Sequence, residues 1–144
     1  MIDLEAFKAK KSPKEGQKTI GYTICSIDEI LRAPDSFLTL NLQNDSDPEL
    51  TSNSKILIQS EEDSKDNKSL VMKIGVRHIS CSNELILNVY KEANNNWIPV
   101  FQSSDKITIT SPKQPVFWNE FRISSKCLCN NKLFKLIRFE VVEM

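Results

Sequence analysis

The chain has little glycine, 3 residues in 144, and one histidine, His78. No Gly-rich phosphate loop and no Gly-x-Ser-x-Gly elbow occurs, which removes two common routes to phosphoryl and acyl chemistry. No apolar run approaches the roughly 20 residues of a membrane-spanning helix, so only peripheral membrane contact is expected. The opening Met1-Ile2-Asp3-Leu4-Glu5 puts acids where a secretory leader carries a basic and then an apolar region, and the expected location is cytoplasmic. Formal charge is zero, with 9 basic against 13 acidic residues in 1–68 and 10 against 6 in 69–144. That modest asymmetry falls far short of the charge density that duplex nucleic acid demands, and nucleic acid is not an expected partner.

The cysteines are few as well: Cys25, Cys81, Cys127 and Cys129. In a reducing compartment they are expected as free thiols without disulfides. His78-x-x-Cys81 with Cys127-x-Cys129 would supply four zinc-compatible ligands, the latter pair sending both thiols to one face if extended. Lacking the usual knuckle glycine, the four are read first as core thiols. His78 and Cys81 stand three apart on an extended strand, so they face opposite sides and make no nucleophilic pair. The chain is read as a non-enzyme with no catalytic residues and no cofactor.

What is present is strand-like alternation. Apolar residues recur with period two at Ile20, Tyr22 and Ile24; at Leu38, Leu40 and Leu42; at Ile56 and Ile58; at Leu70, Met72, Ile74 and Val76; and at Leu85, Leu87 and Val89. Further apolar segments lie at 97–101, 107–109, 116–123 and 136–142, giving about nine candidate strands at sandwich spacing. Polar stretches at 8–18, 43–55 and 60–68 read as loops or linkers. The only helix expected is short: Ser26-x-x-Glu29 is a capping box and Pro34 prevents a long continuation. The expected fold is all-β, an antiparallel β-sandwich of about eight strands over residues 18–144, preceded by a basic polar segment at 1–17. In the stretch Pro115-Val116-Phe117-Trp118-Asn119-Glu120-Phe121-Arg122-Ile123, the residues Trp118, Phe121 and Ile123 share one face only if the strand bulges near Asn119 and Glu120.

These residues resemble a known family. From Ser69 onward, the strand beginning at Leu70, the Leu85 to Tyr90 strand with Trp97 after a polar turn, Pro115-x-x-Trp118-x-x-Phe121-x-Ile123, Leu128-Cys129 and Ile137-Arg138-Phe139-Glu140-Val141 resemble the opening strands of the second C-two domain of copines. Ile20-Gly21, the turn at 26–31, Leu38-Thr39-Leu40 and Ile56-Leu57-Ile58 look like the tail of the first such domain. The resemblance covers residues 18–144 and implies a sandwich that binds phospholipid with calcium. It departs from the family where the calcium loop shrinks to Ser80-Cys81-Ser82-Asn83-Glu84 and where the chain stops without an A-like domain.

Two half-sandwiches would each leave an apolar face bare, so the halves are expected to pair as one circularly permuted sandwich. The carboxylates available to calcium are Asp45, Asp47, Glu84 and Glu143. They are too few for a shell of six to eight oxygens, and calcium dependence is expected to be weak or lost. The expected function is recognition: peripheral binding to anionic phospholipid through Lys73, Arg77, Lys91 and Lys106, at the plasma membrane, with a protein-protein scaffold or a degenerate fragment as the alternative. A lipid binder should gather its basic residues on one face; a scaffold should scatter them.

Overall fold

The structure is a computed structural model that describes residues 18–46, 53–63, 68–79, 83–111 and 113–143. Ten strands lie among the described residues: β1 (Lys18–Ser26), β2 (Phe37–Asn41), β3 (Lys55–Glu62), β4 (Ser69–Arg77), β5 (Glu84–Ala93), β6 (Asn96–Gln102), β7 (Ile107–Thr108), β8 (Val116–Phe117), β9 (Phe121–Ser124) and β10 (Leu136–Glu143). Two helices join them, α1 (Ile27–Arg32) and α2 (Ser125–Cys129). Sheet A runs β1-β10-β5-β6, with β7 also on β5; sheet B runs β2-β3-β4, with β8 and β9 both on β4.

Period-two burial explains the two layers. Leu85, Leu87 and Val89 of β5 and Ile137, Phe139 and Val141 of β10 face Ile56 and Ile58 of β3 and Leu70, Met72, Ile74 and Val76 of β4 in one shared core. Burying each such side chain stabilises the fold by roughly 1.5–3 kcal/mol before entropy is subtracted. The layers are closed by one local and one long-range pairing, each joining the first half of the chain to the second. β3 runs against β4 from Lys55↔Arg77 to Glu62↔Leu70, and β1 runs against β10 from Lys18↔Glu143 to Ser26↔Leu136. The two halves therefore form one antiparallel β-sandwich rather than two small separate sheets.

The expected bulge is present. Phe117 pairs with Gly75 and Phe121 with Met72, so Trp118, Asn119 and Glu120 oppose only Lys73 and Ile74. The extra residue splits the apolar run at 116–123 into β8 and β9, which is one reason the strands exceed eight. It also sends Trp118, Phe121 and Ile123 toward the core, where Trp118 is buried. The Trp118 indole Nε1 donates to the Leu85 carbonyl at 3.1 Å, tying sheet B to sheet A. Phe101 of β6 and Phe121 of β9 stack across the same opening, their centroids 3.7 Å apart.

Two local features differ from expectation. In β1 a register shift between Thr19 and Gly21 breaks the alternation, so Ile20 enters the shared core while Ile24 packs on the opposite face with Tyr90 and Trp97. A second helix, α2, stands where the sequence pattern predicts none; the Ser124 hydroxyl accepts from the Cys127 N–H at 3.0 Å and caps it. At its end Asn130 takes a left-handed conformation and closes the turn. α1 follows the capping-box pattern, with Ser26 Oγ accepting from Glu29 N at 3.2 Å. Between β5 and β6, Asn94 and Asn95 both have positive φ, the backbone of a two-residue hairpin.

Gly75 is required by a close approach. A Cβ there would lie 2.5 Å from Phe117 Cδ1 and 2.6 Å from the Val116 carbonyl oxygen. Gly75→Ala is expected to displace Phe117 and destabilise the fold by about 1–3 kcal/mol, the usual cost of overpacking. Denaturant unfolding measures it, and an unchanged midpoint would contradict the packing described.

Candidate functional site

The strand directions sort the loops into two ends. Lys18, Glu143, Glu84 and the end of β7 share one end, because Lys18 pairs with Glu143, Glu143 with Leu85, and Glu84 with Thr108. The opposite end carries α1, α2 and the Asn94-Asn95 turn.

The acidic candidates Asp45, Glu84 and Glu143 lie at the first end, and Asp47 lies outside the described residues. Asp45 accepts the Tyr22 hydroxyl at 3.0 Å, and Glu143 accepts from Asn83 Nδ2 at 3.0 Å. Among the described residues no three His, Cys, Asp or Glu side chains converge as a metal site. The zinc alternative fails on placement. His78 follows β4 at the first end, while Cys127 and Cys129 sit in α2 at the second, beyond the length of a nine-residue strand. Cys127-x-Cys129 is helical rather than extended, so Cys127 is exposed and Cys129 buried. Cys81 lies outside the described residues.

The basic candidates separate into three places. Lys106 precedes β7 at the first end, and Lys91 reaches Asn130 Oδ1 at 3.4 Å at the second. Lys73 and Arg77 share the outer face of sheet B, because Met72, Ile74 and Val76 take the inner positions of β4. The register adds a residue that spacing alone missed: Lys55 of β3 stands directly across from Arg77. Lys55 Nζ donates to Asn41 Oδ1 on β2. Lys73 Nζ lies 4.9 Å from the centroid of Phe117, which covers Gly75. Arg77 Nε is buried without a hydrogen-bond partner among the described residues. Farther along the same face Arg122 pairs with Asp63 at 3.5 Å, so its charge is largely answered within the protein.

The outer face of sheet A is different in kind. Arg138 is 1% exposed there, with its guanidinium carbon 4.0 Å from the Tyr22 ring centroid and Nη2 3.3 Å from Glu140 Oε2. Glu140 also accepts the Tyr90 hydroxyl at 3.0 Å. Burying charge without partners is costly, and this network supplies partners. Burial and then the Glu140 carboxylate push the Tyr90 hydroxyl above its ordinary range. Trp97 and Trp118 are both buried, so neither is a free membrane anchor.

Comparisons with protein-family models, with curated proteins and with solved structures returned no match. The geometry of the chain itself therefore carries the functional argument.

Burial, and next Glu29, push the Cys25 thiol from 9.0 up to about 12. Cys25 and Tyr90 keep their protons in the fold when the unfolded chain has begun to lose them. The stabilisation is thus complete below the unfolded values and is lost as pH rises through the folded ones. Urea midpoints are expected to fall steadily from pH 9 toward 12, and Cys25→Ala should make that slope shallower. A slope unaltered in the variant would contradict the assignment.

Proposed function

We propose that the protein is a non-catalytic recognition module that binds anionic phospholipid peripherally through the outer face of sheet B, without calcium. Of the four cations expected at a lipid face, Lys91 and Lys106 stand elsewhere; the observation that carries this reading is the narrower grouping of Lys73 and Arg77 with Lys55 on two adjacent strands, with Phe117 beside them. None of the three forms an ion pair with a described residue. Cations on neighbouring strands of one sheet face suit a layer of lipid phosphates. Each cation near an anionic leaflet contributes about 1 kcal/mol, so three of them amount to roughly a hundredfold in partition.

The sequence resemblance to the C-two domains of copines supports a lipid-binding sandwich, in a permuted arrangement and at a cytoplasmic leaflet. Calcium is left out of the mechanism because Asp45 and Glu143 are engaged by Tyr22 and Asn83. No helix among the described residues is long and apolar enough to cross a membrane. Contact is thus pictured as adhesion to the surface.

Sedimentation with phosphatidylserine-containing vesicles in the presence of a chelator tests the proposal. Binding is expected, weakening as salt shortens the Debye length from about 10 Å at 0.1 M. Lys73→Glu with Arg77→Glu should lower it by at least tenfold without loss of stability. Binding that requires calcium, or that ignores this double substitution, would overturn the reading.

A further inference from the structure

At the end of the sandwich opposite Asp45, Glu84 and Glu143, the chain between α2 and β10 makes a tight turn. The Lys135 N–H donates to the Lys132 carbonyl at 3.0 Å, so Leu133 and Phe134 occupy the two central positions. The turn is anchored on both sides: the Leu133 carbonyl accepts from Asp28 N at 2.9 Å, and the Lys132 N–H donates to Cys129 O at 2.9 Å. Leu133 packs against the core, while Phe134 is left 69% exposed, the most exposed large apolar side chain described. Turn geometry does not ask for phenylalanine; Asn, Asp, Gly, Pro and Ser serve such positions better. Leu136, two residues on, is 40% exposed.

The surroundings are basic. Residues 126–136 contain Lys126, Lys132 and Lys135 and no Asp or Glu. The nearby Asp28 carboxylate is already paired with Arg32 at 3.0 Å. An apolar side chain held out on a rigid turn and flanked by lysines complements an anionic bilayer interface, where the ring enters the acyl boundary and the ammonium groups stay with the phosphates.

We infer that the turn at residues 132–135 is a second membrane contact in which Phe134 inserts into the interface of an anionic bilayer. This rests on the lipid-binding reading above: the cations of sheet B attract the protein to the surface, and Phe134, at the other end of the sandwich from Lys55 and Arg77, gives it a separate apolar foothold. An acidic protein groove is the other occupant the chemistry would suit, and the experiment separates the two.

The probe is Phe134→Trp with vesicles of phosphatidylcholine, with and without phosphatidylserine, carrying brominated acyl chains. Trp97 and Trp118 are each 2% exposed and provide a background that the bromines do not reach. The variant's fluorescence is expected to be quenched on the phosphatidylserine vesicles and the wild type's to be unaffected. Phe134→Ser should weaken partition about tenfold while leaving its salt dependence unchanged, since the removed contribution is apolar burial. Vesicle binding without quenching of Phe134→Trp would overturn the insertion and leave the sheet B reading standing. Failure of the wild type to bind these vesicles would remove both.

Discussion

The Trp118 indole is the contact on which the arrangement depends. It reaches from the bulge between β8 and β9 to the Leu85 carbonyl of sheet A, and it does so because the backbone gains one residue between Phe117 and Phe121. The same step divides the labour of two neighbouring aromatics. Trp118 turns inward and ties the layers; Phe117 stays outward, flattened on Gly75 beneath Lys73. A single bulge thus connects the closure of the core to the shape of the cationic face.

Around that tie the two halves of the chain are joined. The β3–β4 hairpin straddles them in sheet B and β1 meets β10 across the length of the chain in sheet A, so the two sheets cannot form from one half alone. Such non-local closure makes for slow folding, since loop entropy is lost before the contacts that offset it appear. It also gives a stiff platform: Lys55 and Arg77 stand opposite each other because the β3–β4 register is set along its whole length by buried Ile56, Ile58, Ile74 and Val76.

Much of the sandwich was legible as alternation, and the strand around Trp118 even carried its bulge in the spacing of three apolar residues. Other elements were hidden for physical reasons. The irregularity after Thr19 leaves no mark in the letters Ile20, Tyr22 and Ile24, which read as one face until the pairing with β10 divides them. α2 is a five-residue turn set by the Ser124 cap, too short for helical periodicity to register. Arg138 and Glu140 occupy outer positions of β10, where charge normally implies solvent; their burial follows from Tyr22 and Tyr90 on neighbouring strands. For the candidate site, Lys73 and Arg77 share a face by even spacing alone, whereas Lys55 joins them only through register. Phe134 lies outside the apolar segment at 136–142, and only the Lys132–Lys135 hydrogen bond shows that it sits on a turn.

The claim beneath all of this is that both halves of the chain make one cooperative sandwich that presents a rigid basic face. Native-state hydrogen exchange tests it most directly, because each strand reports its own opening free energy. The account predicts that the paired amides of β1 and β10 and those of β3 and β4 converge on a single global opening. Exchange of β1 to β3 through a separate, lower-energy step, with β4 to β10 still protected, would contradict it.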